Sequence, residues 1–316
     1  MGTSLSRTFS AALTASLAAA LLAGCGSLSG GRSAKATDVP ATPAEISEIT
    51  TAVIEPVPVE AYLLTEEQWT MLGRAEHALR VRCMERFGFP YEEPLPVGEP
   101  SGQTISQYRY GKLDPAKTAV HGYRMPGAPS SAGGTDAGAT TAKERRKKPT
   151  AAERMVLSGT ADLTAKSGRG GQNVNGGTVP DGGCVGEAQR KLGDYGDAQI
   201  ANDVNLGSFG KSLQDGRVIA VFAKWSRCMA ESGYHYQTPM EASEDEKWLG
   251  ETASAEEKTV ATADALCKIK NNVAGVWYAV DVAYQKQAIE EHAEELDQVR
   301  KGIDGQLKAA AEVLGD

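Results

Sequence analysis

The feature that most constrains the fold is a cysteine-containing motif that occurs twice in the chain. Residues 82–94 and residues 227–239 align without a gap as R-C-M-x-x-x-G-[FY]-x-Y-x-x-P. Six identities and one conservative exchange in thirteen positions indicate an internal duplication. The folded part of the chain is therefore expected to consist of two related halves.

Each copy of the motif is predicted to end a helix. Before the first copy, Thr65 and Gln68 match a capping box, and apolar residues then recur at the three- and four-residue spacing of one helix face. Gly88 and Gly233 stand where helices commonly end in a left-handed residue, a conformation that Gly adopts without strain.

Four cysteines besides Cys25 are available for cross-links: Cys83, Cys184, Cys228 and Cys267. They lack the closely spaced pairs that zinc sites use, which favours two disulfides over a metal site. Four cysteines allow three connectivities, and all three stay open. If the halves are equivalent, each holds one motif cysteine followed by one partner, and this favours Cys83–Cys184 with Cys228–Cys267.

The N-terminal residues have the pattern of an export signal. Arg7 is followed by an apolar stretch, Phe9–Ala23, that is too short and too rich in alanine for a comfortable membrane span. This stretch leads into Leu22-Ala23-Gly24-Cys25, which resembles the lipobox of bacterial lipoproteins. In that family the cysteine thiol receives a diacylglyceryl group, and the peptide is cut just before it. Residues 1–24 are thus predicted to be a lipoprotein signal peptide, with an ordinary secretory signal as the alternative.

Lipidation of Cys25 predicts where the protein resides. Two acyl chains such as palmitate hold a protein stably, whereas one chain binds only marginally. The expected location is the extracytoplasmic face of the cell membrane, where disulfides persist. The membrane is thus a predicted partner through the lipid. A nucleic-acid partner is not expected, because the formal net charge is −8.

The duplicated motif behind a lipobox resembles uncharacterised lipoproteins of high-GC Gram-positive (actinobacterial) bacteria. The resemblance extends to Tyr108-Arg109-Tyr110-Gly111 and to Gly182-Gly183-Cys184-Val185-Gly186-Glu187-Ala188. It implies a mostly helical, disulfide-bonded envelope domain, and it brings no catalytic residues.

Composition suggests how the remainder is organised. Residues 25–60 are rich in Pro, Ser, Thr and Ala and are predicted to be a flexible tether. Residues 61–316 are predicted to form the helical, disulfide-bonded domain. Within it, residues 126–182 are rich in Gly, Ser, Thr and Ala and are predicted to be a largely disordered insertion, apart from a helical turn at Ala151–Leu157.

The predicted fold class is mainly α: an irregular helical domain of two related halves stapled by two disulfides, with a long flexible insertion. No segment alternates strongly enough to predict a strand, although Val53–Val59 is a candidate. Helices are predicted near residues 62–89, 184–192, 198–214, 216–232, 254–270 and 273–312.

Motifs that carry known chemistry are missing from the sequence. It has no P-loop, H-E-x-x-H, EF-hand loop or G-x-S-x-G, and its four histidines are far apart. No metal, cofactor or catalytic residue is therefore predicted. The acidic pairs Glu92/Glu93 and Glu244/Glu246 resemble glycosidase carboxylates, but they lie in polar segments near prolines, which favours solvated charge.

Aromatic residues of the two motifs are the candidate ligand contacts: Phe89, Tyr91, Tyr234 and Tyr236. Such rings stack on sugars or peptides while their polar ends reach water, and the alternative is that they pack over the disulfides. The predicted function is a non-catalytic binding or scaffolding role at the cell envelope, with an envelope protein or wall polymer as partner. The alternative is a hydrolase directed at the cell wall.

Overall fold

Helices form most of the protein in the computed structural model, as the sequence predicted. The structure describes residues 40–91, 105–124, 149–193, 199–250 and 252–315. Among these residues, the β structure is a two-stranded antiparallel hairpin in which Asn173 pairs with Thr178.

The described residues contain two short 3-10 helices, Pro58–Tyr62 and Glu246–Trp248, in addition to α-helices and two strands. The helices and strands are α1 (Glu66–Arg86), α2 (Ile105–Arg109), α3 (Pro115–His121), α4 (Ala151–Ser158), β1 (Asn173–Val174), β2 (Gly177–Thr178), α5 (Gly183–Leu192), α6 (Gln199–Gln214), α7 (Gly216–Glu231), α8 (Pro239–Ser243), α9 (Ala255–Lys270), α10 (Val273–Glu291) and α11 (Ala293–Gly315).

The two copies of the motif end α1 and α7 in the same way. In each copy, the aromatic residue after the glycine donates its backbone N–H to the carbonyl oxygen of the motif methionine, at 3.1 Å from Phe89 and 3.0 Å from Tyr234. Gly88 and Gly233 have φ of 73° and 87°, as the helix-end prediction required. The duplicated sequence therefore produces a duplicated local structure.

Both disulfides join the partners that the duplication favoured. Cys83 pairs with Cys184 and links α1 to α5, with 5.6 Å between the Cα atoms. Cys228 pairs with Cys267 and links α7 to α9, with 5.7 Å between the Cα atoms. Each helix that ends in a motif is thus tied to the next cysteine along the chain, and the predicted connectivity is confirmed.

Three hydrophobic clusters hold the helices together. The main cluster lies among α6, α7, α9 and α10 and is centred on the buried rings of Trp225 and Trp277. A second cluster packs α1 against α5 and α11 through small and aliphatic side chains such as Ala75 and Ala188. The third surrounds the first disulfide, Cys83–Cys184, and contains Phe87.

The prediction of a flexible tether is wrong for residues 40–60. Val57 and Val59 are 2% and 0% exposed in the main cluster, and the N–H of Val59 donates to Oε1 of Gln285 at 3.0 Å. Composition suggested a tether because the segment is rich in Pro, Ser, Thr and Ala, yet its few apolar residues pack against helices distant in the sequence. The strand considered at Val53–Val59 does not form. Residues 25–39 lie outside the described residues.

The prediction of disorder is wrong for residues 149–182, which lie inside the predicted insertion. The helical turn expected there is α4, and the hairpin follows it. Val156 and Val179 are buried against the first disulfide. A few well-placed apolar residues and the neighbouring cross-link therefore order a segment with a polar composition. Residues 125–148 lie outside the described residues.

The prediction of a single C-terminal helix over residues 273–312 is wrong. The structure has two helices, α10 and α11, because the chain breaks at His292. The break redirects α11 so that Leu296 packs into the main cluster and Ala310 into the second.

Candidate functional site

Residues 105–124 form an irregular layer, which we call the bridging segment, that contains α2 and α3 and packs on α9 and α10. Two surface pockets share its residues Tyr108 and Gly111. The first, named the basic pocket, has a volume of about 230 Å³ and is lined by Tyr108, Gly111, Lys112, Asp114, Lys117, His121 and Arg124, among others. The second, named the aromatic pocket, has a volume of about 400 Å³ and is lined by Tyr108, Gly111, Leu206, Phe209, Glu244, Lys268 and Trp277, among others.

Arg109 anchors one end of the bridging segment. Its guanidinium pairs with the fully buried carboxylate of Asp281 and donates to the side chain and carbonyl oxygens of Asn205, at 2.6 and 2.7 Å. The guanidinium carbon also lies 4.6 Å from the ring centroid of Phe209. The hydroxyl of Tyr110 donates to the same Asp281 carboxylate at 2.8 Å. Burial raises the pKa of Tyr110, and the Asp281 charge raises it further, so the phenol stays protonated.

Glu257 anchors the other end of the bridging segment. Its buried carboxylate accepts the backbone N–H of Tyr123 at 3.2 Å and lies 3.5 Å from the guanidinium of Arg124. That guanidinium also donates to the carbonyl oxygen of Trp248 at 2.7 Å. Both ends of the segment are thus held by buried acids on α9 and α10.

A buried ion pair lies beneath the middle of the bridging segment. The ammonium of Lys268 donates to Asp264 at 2.6 Å, and the indole N–H of Trp225 donates to the other carboxylate oxygen at 2.9 Å. Desolvation raises the pKa of Asp264, and these two donors oppose the rise. Gly111 has a φ of 80°, and a Cβ added there would lie 2.5 Å from the Lys268 ammonium, so the backbone conformation and the close approach both favour glycine.

Lys112 differs from these anchored charges. Its side chain is half-buried, and among the described residues it has neither a carboxylate partner nor a hydrogen-bond acceptor. Burial lowers the pKa of Lys112, and the positive charges of Lys268 and Lys117 lower it further. The basic pocket therefore contains a desolvated cation that no described acid neutralises.

The second lysine in the lining of the basic pocket, Lys117, is more exposed than Lys112. Lys117 is 69% exposed and lies 3.7 Å from Asp114, whose carboxylate is also occupied as the cap of α3. His121, the last residue of α3, is half-buried. In the described lining, Lys112, Lys117 and Arg124 outnumber the one carboxylate, Asp114, so the pocket has an excess of positive charge.

The predicted aromatic ligand contacts do not come together in one cluster. Phe89 and Tyr91 pack against the third cluster, whereas Tyr234 and Tyr236 pack against the main cluster. All four rings are half-buried, as expected for packing near the disulfides with one edge accessible.

Both tyrosines of the paired Gly-aromatic-x-Tyr pattern use their hydroxyls within the protein. The hydroxyl of Tyr91 accepts from the guanidinium of Arg80 at 3.3 Å, and its ring centroid lies 5.5 Å from that of His77. The hydroxyl of Tyr236 donates to Asp245 at 2.8 Å. Burial and this contact raise the pKa of Tyr236 to about 12. Neither of the two pockets at the bridging segment is lined by these tyrosines.

No protein-family model, curated protein or solved structure matches this chain significantly. The resemblance to actinobacterial lipoproteins, the signal peptide and the lipid on Cys25 therefore stay predictions, and residues 1–39 lie outside the described ranges. Across the described residues, no three or more His, Cys, Asp or Glu side chains are grouped so as to hold a metal ion. Nor does any described helix combine the length and apolarity needed to cross a membrane.

Of the two acidic pairs considered as glycosidase carboxylates, the structure describes Glu244 and Glu246. Glu92 and Glu93 lie outside the described residues. Glu244 lines the aromatic pocket, but Glu246 belongs to the second 3-10 helix and does not line it. Each of the two pockets at the bridging segment has one carboxylate residue among its described lining residues.

Sequence reasoning missed the bridging segment as the site. The sequence resembles a family at Tyr108-Arg109-Tyr110-Gly111, and Lys112 follows directly, but neither feature by itself indicates a binding site. A further signal was present in α10, where Asp281 interrupts a run of apolar residues. A carboxylate on a buried helix face requires a partner, and here the partner is Arg109.

Proposed function

We propose that the protein is a lipid-anchored envelope protein with a non-catalytic binding role on the extracytoplasmic face of the cell membrane. The observation that carries this proposal is the pair of disulfides, Cys83–Cys184 and Cys228–Cys267. Disulfides form and persist in oxidising compartments and are rare in the cytosol. They agree with the predicted signal peptide, which would direct export, and with the predicted lipid on Cys25, which would attach the protein to the membrane.

The geometry of the bridging segment supports binding rather than hydrolysis. A wall-directed glycosidase needs two carboxyl groups across a cleft, one as acid and one as base or nucleophile. The described lining of the basic pocket contains Asp114, which caps α3, and that of the aromatic pocket contains Glu244. The buried acids nearby are occupied by Arg109, Arg124 and Lys268. Neither pocket thus offers a pair of carboxylates among its described lining residues, which supports ligand binding over glycoside hydrolysis.

The anchor is tested by changing Cys25 to Ser in the producing cell. Without the thiol no thioether can form, so the variant should leave the membrane fraction or keep its uncut N-terminal peptide. Cell fractionation and the mass of the N-terminal peptide measure both results. Ser27→Ala, two residues further along the chain, is the matched control and should behave as the unchanged protein. Unaltered fractionation and mass for Cys25→Ser would refute the anchor.

The compartment is tested by alkylating the purified protein after unfolding it without a reductant. All four cysteines of the described region are paired, so none should be labelled until a reductant is added. Labelling of two or four of them in protein isolated directly from cells would contradict an oxidising location. Turnover of purified wall polymer by the protein would favour the hydrolase instead.

A further inference from the structure

Lys112 is half-buried in the wall of the basic pocket, and no described carboxylate pairs with it. Taking an ammonium partly out of water is unfavourable unless a counter-charge or hydrogen-bond acceptors replace the water. Arg109 and Arg124 of the bridging segment, and Lys268 beneath it, each have a carboxylate within reach, but Lys112 has none among the described residues. An unpaired, half-buried cation at the wall of a pocket is typical of a site that receives its counter-charge from a ligand.

The surrounding charges strengthen the positive potential at this pocket. Lys117 and Lys268 are close enough to Lys112 to disfavour its charged form. The one described acidic residue in the lining, Asp114, accepts two backbone N–H groups of α3. This local excess of cations stands in a chain whose formal net charge is −8. Overall charge therefore does not account for a basic pocket.

We infer that the basic pocket binds a phosphate group, either free phosphate or the phosphate of an ester, with Lys112 as the central cation. Lysine ammonium groups bind phosphate as point charges, whereas the planar fork of arginine serves phosphate and carboxylate alike. The one arginine in the lining, Arg124, is already held by Glu257 and by the Trp248 carbonyl. Lys117 and His121 also line the pocket and are further donors for the oxygen atoms of a phosphate group.

The size and the mouth of the pocket suit this ligand. Its volume of about 230 Å³ is several times the roughly 30 Å³ that a water molecule occupies in the liquid, which leaves room for one phosphate group and a short organic substituent. Tyr108, 42% exposed, borders both this pocket and the aromatic pocket. An ester thus has an aromatic surface on which to lay its organic part.

This inference rests on the proposed binding function, whose ligand it specifies by chemical class. Its test is isothermal titration of the purified full-length protein at neutral pH with two probes. One probe is inorganic phosphate, and the other is a poly(glycerol phosphate) polymer, which represents phosphodiesters of the cell wall. Saturable binding of at least one probe is expected, and saturation by neither would overturn the inference.

Lys112→Gln is the decisive variant, because it removes the charge and keeps a polar side chain of similar length. A hydrogen bond to a charged group contributes about 1.5–3 kcal/mol, so the affinity for the bound probe should fall by about tenfold or more. Lys224→Gln, an exposed change on α7 outside the pocket, is the matched control and should leave the affinity unchanged. Equal affinity for the unchanged protein and Lys112→Gln would overturn the assignment of this site.

Competition between the probes distinguishes the two sources of phosphate. If the polymer displaces inorganic phosphate at a lower phosphate-equivalent concentration, the ligand is an ester of the wall. If inorganic phosphate saturates the site and the polymer does not compete, the ligand is the free anion. Both results support the inference. Membrane fractionation of Cys25→Ser is a separate measurement, so a failed anchor and a failed phosphate site cannot be mistaken for one another.

Thermal unfolding provides a readout that a purely structural lysine would not produce. Phosphate should raise the melting temperature of the unchanged protein and of Lys224→Gln, but not that of Lys112→Gln, because binding to the native state alone stabilises it. In phosphate-free buffer, Lys112→Gln should melt no lower than the unchanged protein. A lower melting temperature in that buffer would show that Lys112 supports the fold instead, and would overturn the inference.

Discussion

The Asp281 carboxylate is the group on which attachment of the bridging segment most depends. It is fully buried and receives hydrogen bonds from Arg109, from the Tyr110 hydroxyl and from the Gln285 amide. Asp281→Leu replaces it with an apolar side chain of roughly similar size. The change leaves the Arg109 guanidinium, whose side chain is 6% exposed, without its counter-charge.

The expected loss of stability is large. Removing one partner of a buried ion pair costs about 3–5 kcal/mol, because the other charge stays buried without compensation. The Tyr110 hydroxyl loses its acceptor as well, at about 1–3 kcal/mol, and the two costs are not fully additive since they share one carboxylate. Replacing both members of a buried pair by apolar groups is often neutral. Arg109→Met combined with Asp281→Leu should therefore be more stable than Asp281→Leu alone.

Urea unfolding followed by circular dichroism, with both disulfides intact, measures these differences. The exposed pair of Asp297 and Lys301 on α11 is the matched control, and Asp297→Asn should cause no measurable change. A loss below about 1 kcal/mol for Asp281→Leu would refute the conclusion that a desolvated charge pair anchors the segment. So would a double variant that is less stable than Asp281→Leu alone.

Two further predictions concern the disulfides and the acid side of stability. Cys228 is half-buried and lines a third pocket together with Cys267, whereas both sulfurs of the disulfide between α1 and α5 are buried. Limited treatment with a small thiol, then alkylation and peptide mapping, should therefore label Cys228 and Cys267 first, and the reverse order would contradict this. Asp215 caps α7, and its hydrogen bonds to Arg217 hold the pKa of its carboxyl below the usual value. The depressed pKa stabilises the fold above the ordinary pKa near 4, and this stability is lost as the pH falls through the lowered value. Asp215→Ala should cost about 1–2 kcal/mol at pH 7 and less in acid by urea titration, and an equal cost at both pH values would argue against it.

Features that depend on near neighbours in the sequence were predictable. Helix ends at Thr65, Gly88 and Gly233 follow from capping and from the freedom of glycine, which act within a few residues. The pairing of the cysteines was also predictable, but only because the motif is duplicated. If each half closes its own disulfide, the motif cysteine pairs with the next cysteine along the chain, which favours one of the three connectivities.

Segments with mixed composition were not predictable. Val57 and Val59 occur among prolines, and Val156 and Val179 flank a stretch rich in glycine. Composition counts how many apolar residues a segment has, whereas order depends on whether those few residues meet a complementary surface. Here the surface is formed by the main cluster in one case and by the first disulfide with α1 and α5 in the other.

By itself, the sequence determined the helical class, the helix ends within the two motifs and the preferred cross-links, because each follows from interactions between close neighbours or from the duplication. Only the tertiary structure decided where the charges find partners. Arg109 and Asp281 are 172 positions apart, and nothing local connects them. That Lys112 has no carboxylate partner among the described residues is likewise visible only in three dimensions, since desolvation and counter-charge depend on how distant parts of the chain pack together.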